Sequence, residues 1–272
     1  MTSLGVALVT GASRGIGRAI ALRLASDGFN VAINDLPAAQ EGLNTLKHEI
    51  VGKGRKACIA VGDVSAQAHV KDMVSTAIEE LGQLDVMVAN AGIYRVTPIT
   101  ETSVDEWDQL FAVNARGLFL CYKYAGLQMI KQGHGGRIIG ASSIAGREGQ
   151  ENMATYSATK FAVRGLTQAA AKEWGRHGIT VNAYCPGVIE TDIFEALNKG
   201  PGTVGAALKK FAEGCALGHN ATPAEVASLV SYLASKEAHF ITGQSIGIDE
   251  DDLDGIEGCR GSAVSGRVYG TI

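Results

Sequence analysis

The chain has 272 residues, 46% of them hydrophobic, with a mean hydropathy of +0.10, enough to bury one large α/β core or two small ones. Its net charge is -4 and its lysines and arginines are spread along the sequence, which excludes the massed positive charge of a nucleic-acid or anionic-membrane surface and favours a small uncharged partner. Five cysteines without a C-x-x-C pair exclude a disulfide framework and a zinc site; with neither a signal-like N-terminus nor a membrane-length apolar run, the expectation is a soluble cytoplasmic protein without a metal.

In chain order, short apolar runs alternate with helix-length stretches. "VALVT" (6–10), "NVAIND" (30–35), "KACIAV" (56–61), "LDVMVAN" (84–90), "GRIIGAS" (136–142) and "ITVNAY" (179–184) are strand-like, and "QSIGI" (244–248) supplies a seventh strand. The stretches 15–27, 38–52, 65–82, 103–132 and 153–177 are long enough to be crossover helices. This alternation implies a single-domain α/β fold over 1–249, a doubly wound parallel sheet with helices on both faces. Ser103 with Glu106, and Thr222 with Pro223 and Glu225, match helix capping boxes. The glycine-rich stretch 188–218 interrupts the pattern and is expected to form a substrate lid. Residues 250–272 form an acidic, glycine-rich tail with little to build a core, for which disorder or a subunit-bridging arm is expected.

"TGASRGIG" follows the first strand and opens a helix, with Gly11, Gly15 and Gly17 permitting a tight turn and close backbone approach. The helix N-terminus then offers N–H groups and partial positive charge to a pyrophosphate, which predicts a dinucleotide and a Rossmann-type fold. Asp35, eighteen residues after Gly17, is placed to accept bonds from ribose hydroxyls and to repel a 2′-phosphate, so NAD is the expected cofactor. Arg14 points the other way, towards NADP. Asp63 in "GDV" and the backbone of "ANAG" (89–92), with Asn90 and Gly92, end the third and fourth strands on the same side. In "YSATK", Tyr156 and Lys160 share one helix face, where the ammonium is expected to lower the phenol's pKa and fit it for proton exchange.

The ordered set "TGASRGIG", "GDV", "ANAG", "VNARG", "GASSIAG", "YSATK" and "CPGVIETD", over roughly residues 4–249, resembles the classical short-chain dehydrogenase/reductase family. The resemblance implies a tetrad: Tyr156 as acid-base residue, Lys160 supporting it and holding the nicotinamide ribose, Ser143 binding the substrate oxygen and Asn114 supporting a proton relay. It adds Ser13, Ile16, Val64, Pro186, Gly187, Val188, Ile189 and Thr191 to the expected cofactor site. Reducing a ketone requires a hydride and a proton on the oxygen that becomes negative, and the hydroxyls of Ser143 and Tyr156 are suitable donors. Asn114 sits inside a helical segment, where its amide needs partners if buried; a water-linked relay would supply them.

A narrower set, "HGGRIIGASSIAG" with "YSATKFAVRGLTQAAAKEWGRHGITVNAYCPGVIET", is similar to the acetoin/diacetyl reductase and 2,3-butanediol dehydrogenase branch. That implies a small vicinal diketone or hydroxyketone, an NAD cofactor and a homotetramer. Ile144, Glu148, Asn152, Met153, Ile93 and Tyr94 are candidate pocket walls, with Ser143, Ile144, Met153 and Tyr156 the expected substrate contacts. The alternatives are an NADPH-dependent 3-oxoacyl-thioester or general carbonyl reductase, an NAD-dependent polyol dehydrogenase and a non-catalytic nucleotide sensor.

Overall fold

A computed structural model describes residues 3–191, 212 and 217–248 and the backbone of 269–271. Seven parallel strands form one sheet in the order β3-β2-β1-β4-β6-β7-β8, with β1 at Val6–Val9, β2 at Asn30–Ile33, β3 at Ala57–Ile59, β4 at Val86–Ala89, β6 at Gly136–Ala141, β7 at Ile179–Pro186 and β8 at Ser245–Ile248. The helices are α1 (Gly15–Asp27), α2 (Gln40–Gly52), α3 (Gln67–Leu81), α4 (Val104–Leu110), α5 (Leu118–Gln132), α6 (Ala154–Trp174) and α7 (Pro223–Ala234).

Both faces of the sheet are covered, which is why its central strands are continuously apolar rather than alternating. Strand pleating sends Ala7, Val9, Val31, Ile33, Val86 and Val88 into one layer with Ile20 and Leu24 of α1, Leu46 of α2 and Val230 of α7. The intervening Leu8, Ala32 and Met87 enter the opposite layer with Met73 of α3, Met129 of α5 and Val163 of α6. Strand order reverses between β1 and β4, so a crevice opens beyond their carboxyl ends, where open α/β sheets bind ligands. The glycine loop, "ANAG", Ser143 and Pro186 all lie at or just beyond strand ends on that side.

Both capped helix starts are present. Ser103 Oγ accepts from the Glu106 N–H at 3.2 Å; the Glu225 carboxylate accepts from the Thr222 N–H at 2.5 Å and its hydroxyl at 3.0 Å. Two features depart from the expectation. The segment 103–132 is not one uniform helix: a π-helical stretch, Phe111–Gly117, separates α4 from α5. Directly after "ANAG" there is also a short strand, β5 (Ile93–Arg95), which pairs antiparallel with β9 (Tyr269–Thr271). Three residues of the expected tail therefore pair within this chain, with Tyr94 opposite Gly270. Residues 249–268 lie outside the described residues, as does most of the expected lid; of its first residues, Glu190 donates its N–H to the Ala221 carbonyl at 2.9 Å.

Deleting residues 269–272 removes the partner of β5. Amide hydrogen exchange at Tyr94 is expected to accelerate while the amides of β1 and β4 stay protected; unchanged exchange at Tyr94 would show that the pairing does not hold in solution.

Candidate active site

The glycine loop is built by close approach. Gly11 and Gly15 have φ of +63° and +55°, in the left-handed region that favours glycine. A Cβ on Gly17 would stand 2.1 Å from the Gly11 carbonyl oxygen and 2.6 Å from Nδ2 of Asn90, so only glycine lets α1 start this near β1. Asn90 is fully buried. Its Nδ2 donates to the carbonyls of Thr10 (2.9 Å) and Gly11 (3.2 Å), and its Oδ1 accepts from the Tyr184 hydroxyl at 2.7 Å. Its main-chain N–H donates to Thr10 Oγ1 at 3.0 Å. Asn90 thus braces the loop from below with its side chain, where the sequence pointed to its backbone. Thr10 and Tyr184, absent from the predicted site, complete that brace; their partners are 80 and 94 residues distant, beyond any local motif.

The first-turn N–H groups of α1, at Gly15, Ile16 and Gly17, have no intrahelical acceptor, and the N-cap residue Arg14 supplies no side-chain cap. Asp35 lies at the end of β2 beside them. Its Oδ2 accepts from the Ser13 hydroxyl at 2.6 Å and the Ser13 N–H at 3.1 Å, and its Oδ1 from the Leu36 N–H at 2.8 Å. Oδ2 has both acceptor directions taken while Oδ1 has one left, so the fixed group can still receive a ribose hydroxyl. Arg14 is exposed at the mouth of the loop. Thr191 arches above it, its Cγ2 at 3.7 Å from the Cβ position of Gly15. Further along, Asp63 accepts from the Ser65 N–H at 2.8 Å, Val64 packs under Gly117 of the π stretch, and Gly187 donates to the Ile248 carbonyl at 2.9 Å. Gly92 and Ile189 are buried, and Val188 is half-buried. A cradle that a Cβ would fill, free helix-end donors and a held carboxylate fit a dinucleotide, which when bound supplies or accepts the hydride.

The tetrad converges on the same crevice. Ser143 follows β6 and its Oγ accepts from the Ala145 N–H at 3.1 Å. Tyr156 and Lys160 stand in the first turns of α6, the lysine Nζ at 5.4 Å from the tyrosine ring centroid and donating to the Ala141 carbonyl at 2.9 Å. Ser142, the other serine of the pair, bonds the Lys160 carbonyl at 3.0 Å and ties β6 to α6. Asn114, inside the π stretch, needs no water for its amide. Its Oδ1 accepts from the Ile93 N–H at 2.8 Å, and its Nδ2 donates to the Ile93 carbonyl at 2.7 Å and to Thr159 Oγ1 at 3.2 Å. The side chain that was expected to need a relay water instead fixes β5 against α6.

The expected sign of the tyrosine shift is also corrected. Burial pushes the Tyr156 phenol up to about 12, partly offset by its hydrogen bond to Ser143, because the desolvated phenolate loses more than that bond returns. The same burial brings the Lys160 ammonium down to about 8. Lys160 therefore changes charge within the working pH range while the phenol keeps its proton.

A small apolar cluster of Tyr94, Leu110, Ala145 and Tyr156 surrounds the phenol, with Ile93, Val96 and Met153 packed against it. Ile144 is partly buried outside this cluster, and Glu148 is exposed, so the glutamate is not a wall of it. Asn152 holds φ +60° and accepts the Thr97 N–H at 2.6 Å, locking the loop before α6 to the segment after β5. An open groove lined by Asp108, Phe111, Ala112 and Arg116 does not contain the tetrad.

The glycine loop, the held carboxylate of Asp35 and the hydroxyls of Ser143 and Tyr156 thus lie on one side of the sheet. Residues 5–202 match the short chain dehydrogenase family, and the chain belongs to it as an alcohol dehydrogenase/carbonyl reductase. It is 52% identical to a short-chain dehydrogenase/reductase from Armillaria gallica over 90% of this chain and 94% of that one. It is 44% identical to the diacetyl reductase [(S)-acetoin forming] of Staphylococcus epidermidis over 88% and 95%. Among solved structures, the acetoin dehydrogenase of Salmonella typhimurium superposes with a TM-score of 0.80 at 33% identity, covering 91% and 94% of the two chains.

Two outcomes test the site. Gly17→Ala forces the loop off Gly11, and the Kd for the dinucleotide is expected to rise at least tenfold, about 1.4 kcal/mol, in a titration; unaltered binding would contradict the close approach. For carbonyl reduction, kcat/KM is expected to be level below pH 8 and to fall above it as Lys160 loses its proton, since Tyr156 stays protonated to about 12. Arginine remains charged throughout, so whatever activity Lys160→Arg retains should lack this limb; a limb that persists belongs to another group.

Proposed function

We propose that the protein interconverts a small vicinal diketone or hydroxyketone with its secondary alcohol, using NAD(H), in the manner of acetoin and diacetyl reductases. The observation that carries this reading is the small cluster around Tyr156: Ala145, Leu110, Ile93, Val96 and Met153 suit a short uncharged substrate lying against the Ser143 and Tyr156 hydroxyls. The diacetyl reductase and acetoin dehydrogenase relatives support it, and the Armillaria relative's name carries no substrate that opposes it.

In reduction, Ser143 bonds the ketone oxygen and Tyr156 donates its phenolic proton as that oxygen becomes negative. Lys160 holds positive charge beneath the ring and, with Asn114 fixing β5 and α6, keeps the donors in place for turnover. Asp35 selects the 2′-hydroxyl: a carboxylate held by Ser13 and Leu36 cannot swing away from a 2′-phosphate. Arg14 still favours a second reading, an NADPH-dependent carbonyl or 3-oxoacyl-thioester reductase.

Exposed Phe119 and Leu127 on α5 and Phe161 on α6 support assembly through these helices into a homotetramer. The free, buried thiols of Cys58, Cys121 and Cys185 support a reducing, cytoplasmic setting. No described helix is long and apolar enough to cross a membrane, and no cluster of three metal-ligating side chains occurs among the described residues.

The test follows reduced-nicotinamide absorbance with diacetyl, acetoin and an acetoacetyl thioester, each with NADH and NADPH. Turnover of the four-carbon substrates with NADH is expected, and Asp35→Ala should narrow the NADH preference at least tenfold; activity confined to the thioester or to NADPH selects the second reading. Tyr156→Phe is expected to lower kcat roughly 10²- to 10⁴-fold, the share of a general acid, and undiminished turnover would overturn its role.

A further inference from the structure

We infer that Tyr94 is a substrate-orienting residue whose hydroxyl bonds the second oxygen of a vicinal dioxygenated substrate, the one adjacent to the carbon that is reduced. The inference rests on the proposed substrate class and assigns that class a specific side chain.

Three observations carry it. First, the Tyr94 hydroxyl is closed to solvent and has no hydrogen-bond partner among the described residues, although buried phenols normally find one. Second, its ring meets that of Tyr156 edge-on, with centroids 6.2 Å apart and planes at 73°, in the cluster that also contains Ala145 and Leu110. Third, the backbone that carries it is fixed from several directions. Asn114 takes both main-chain groups of Ile93, Arg95 Nη1 donates to the Tyr94 carbonyl at 2.9 Å, and β9 pairs along the strand. Beyond β5, Thr97 is bonded to Asn152.

A buried phenol held this firmly without a partner costs stability that phenylalanine would avoid, and a ligand that supplies the partner recovers it. The chemistry of the ligand follows from the group. A phenol donates to a carbonyl and accepts from a hydroxyl, so the same side chain serves both the diketone and the hydroxyketone. Burial raises the Tyr94 pKa, with the neighbouring Tyr156 adding to the shift, so the group stays neutral and gives no advantage to a cationic substrate. With Ser143 and Tyr156 on the reacting oxygen and Tyr94 on its neighbour, a vicinal pair is held at two points, whereas a monoketone is held at one.

The experiment compares wild type and Tyr94→Phe on diacetyl and on butanone with NADH, together with thermal unfolding of the nucleotide-free protein. The expected result is a loss in kcat/KM at least tenfold greater for diacetyl than for butanone, lying mainly in KM, with a melting temperature equal to or above wild type. Equal effects on the two ketones overturn the inference, and a lowered melting temperature does so by assigning the hydroxyl a structural bond. Wild-type turnover of diacetyl tests the substrate reading separately. If wild type reduces butanone but not diacetyl, that reading falls and takes this inference with it; if wild type reduces diacetyl and the variant keeps the ratio, this inference alone falls.

Discussion

The architecture depends on how closely β1 and β4 bring their carboxyl ends together with the start of α1. The Asn90 amide spans that junction, giving its hydrogens to Thr10 and Gly11 and its oxygen to the Tyr184 phenol, while Gly17 packs where any Cβ would strike both Gly11 and Asn90. A buried amide with its donors and acceptor engaged is stabilising; the same amide short of one partner would cost about 1–3 kcal/mol. The requirement couples three strands, because Tyr184 lies on β7 and reaches Asn90 from across β6. The cofactor cradle is thus the upper surface of a satisfied polar network, and its glycines are as much a consequence of packing below as of phosphate above.

A second brace carries that rigidity to the chemistry. Asn114 joins β5 to α6 through Ile93 and Thr159, and Thr159 in turn donates to the Tyr156 carbonyl at 2.7 Å. The π stretch matters here. A wider turn shifts the register of the helix at the point where Asn114 must face β5, which a uniform helix from 104 to 132 would not do without displacing one of its ends. Local irregularity in the helix fixes the geometry of the turn that carries Tyr156.

Much of this was legible from local pattern. Seven strands, the glycine loop and the Tyr156–Lys160 face follow from periodicity and spacing, because each depends on residues a few positions apart, and Asp35 follows from its place at the end of the next strand. β5 was not legible, since three residues after "ANAG" acquire strand geometry only by pairing with the far end of the chain. The partners of Asn90 and Asn114 were hidden for the same reason. The direction of the tyrosine shift was misread because a four-residue spacing reports a neighbouring charge and says nothing of burial, and here burial dominates both groups. Glu148 shows the converse error: proximity in sequence to the catalytic segment does not bring an exposed carboxylate into the pocket.

The distribution of satisfied and unsatisfied polar groups separates positioning from reaction. Asn90, Asn114 and Ser142 are buried with their hydrogen bonds made inside the protein, so their side chains are committed to holding strands, loop and helix together. Lys160 is a buried ammonium that gives one of its three hydrogens to the Ala141 carbonyl. Tyr94 has a buried hydroxyl with no acceptor among the described residues. Unmet bonding capacity enclosed by well-bonded neighbours cannot be relieved by small rearrangements, because each rearrangement breaks a made bond. A ligand oxygen that meets an enclosed donor of this kind would gain a hydrogen bond without first breaking one, which is the condition under which burial of an unmet donor favours binding.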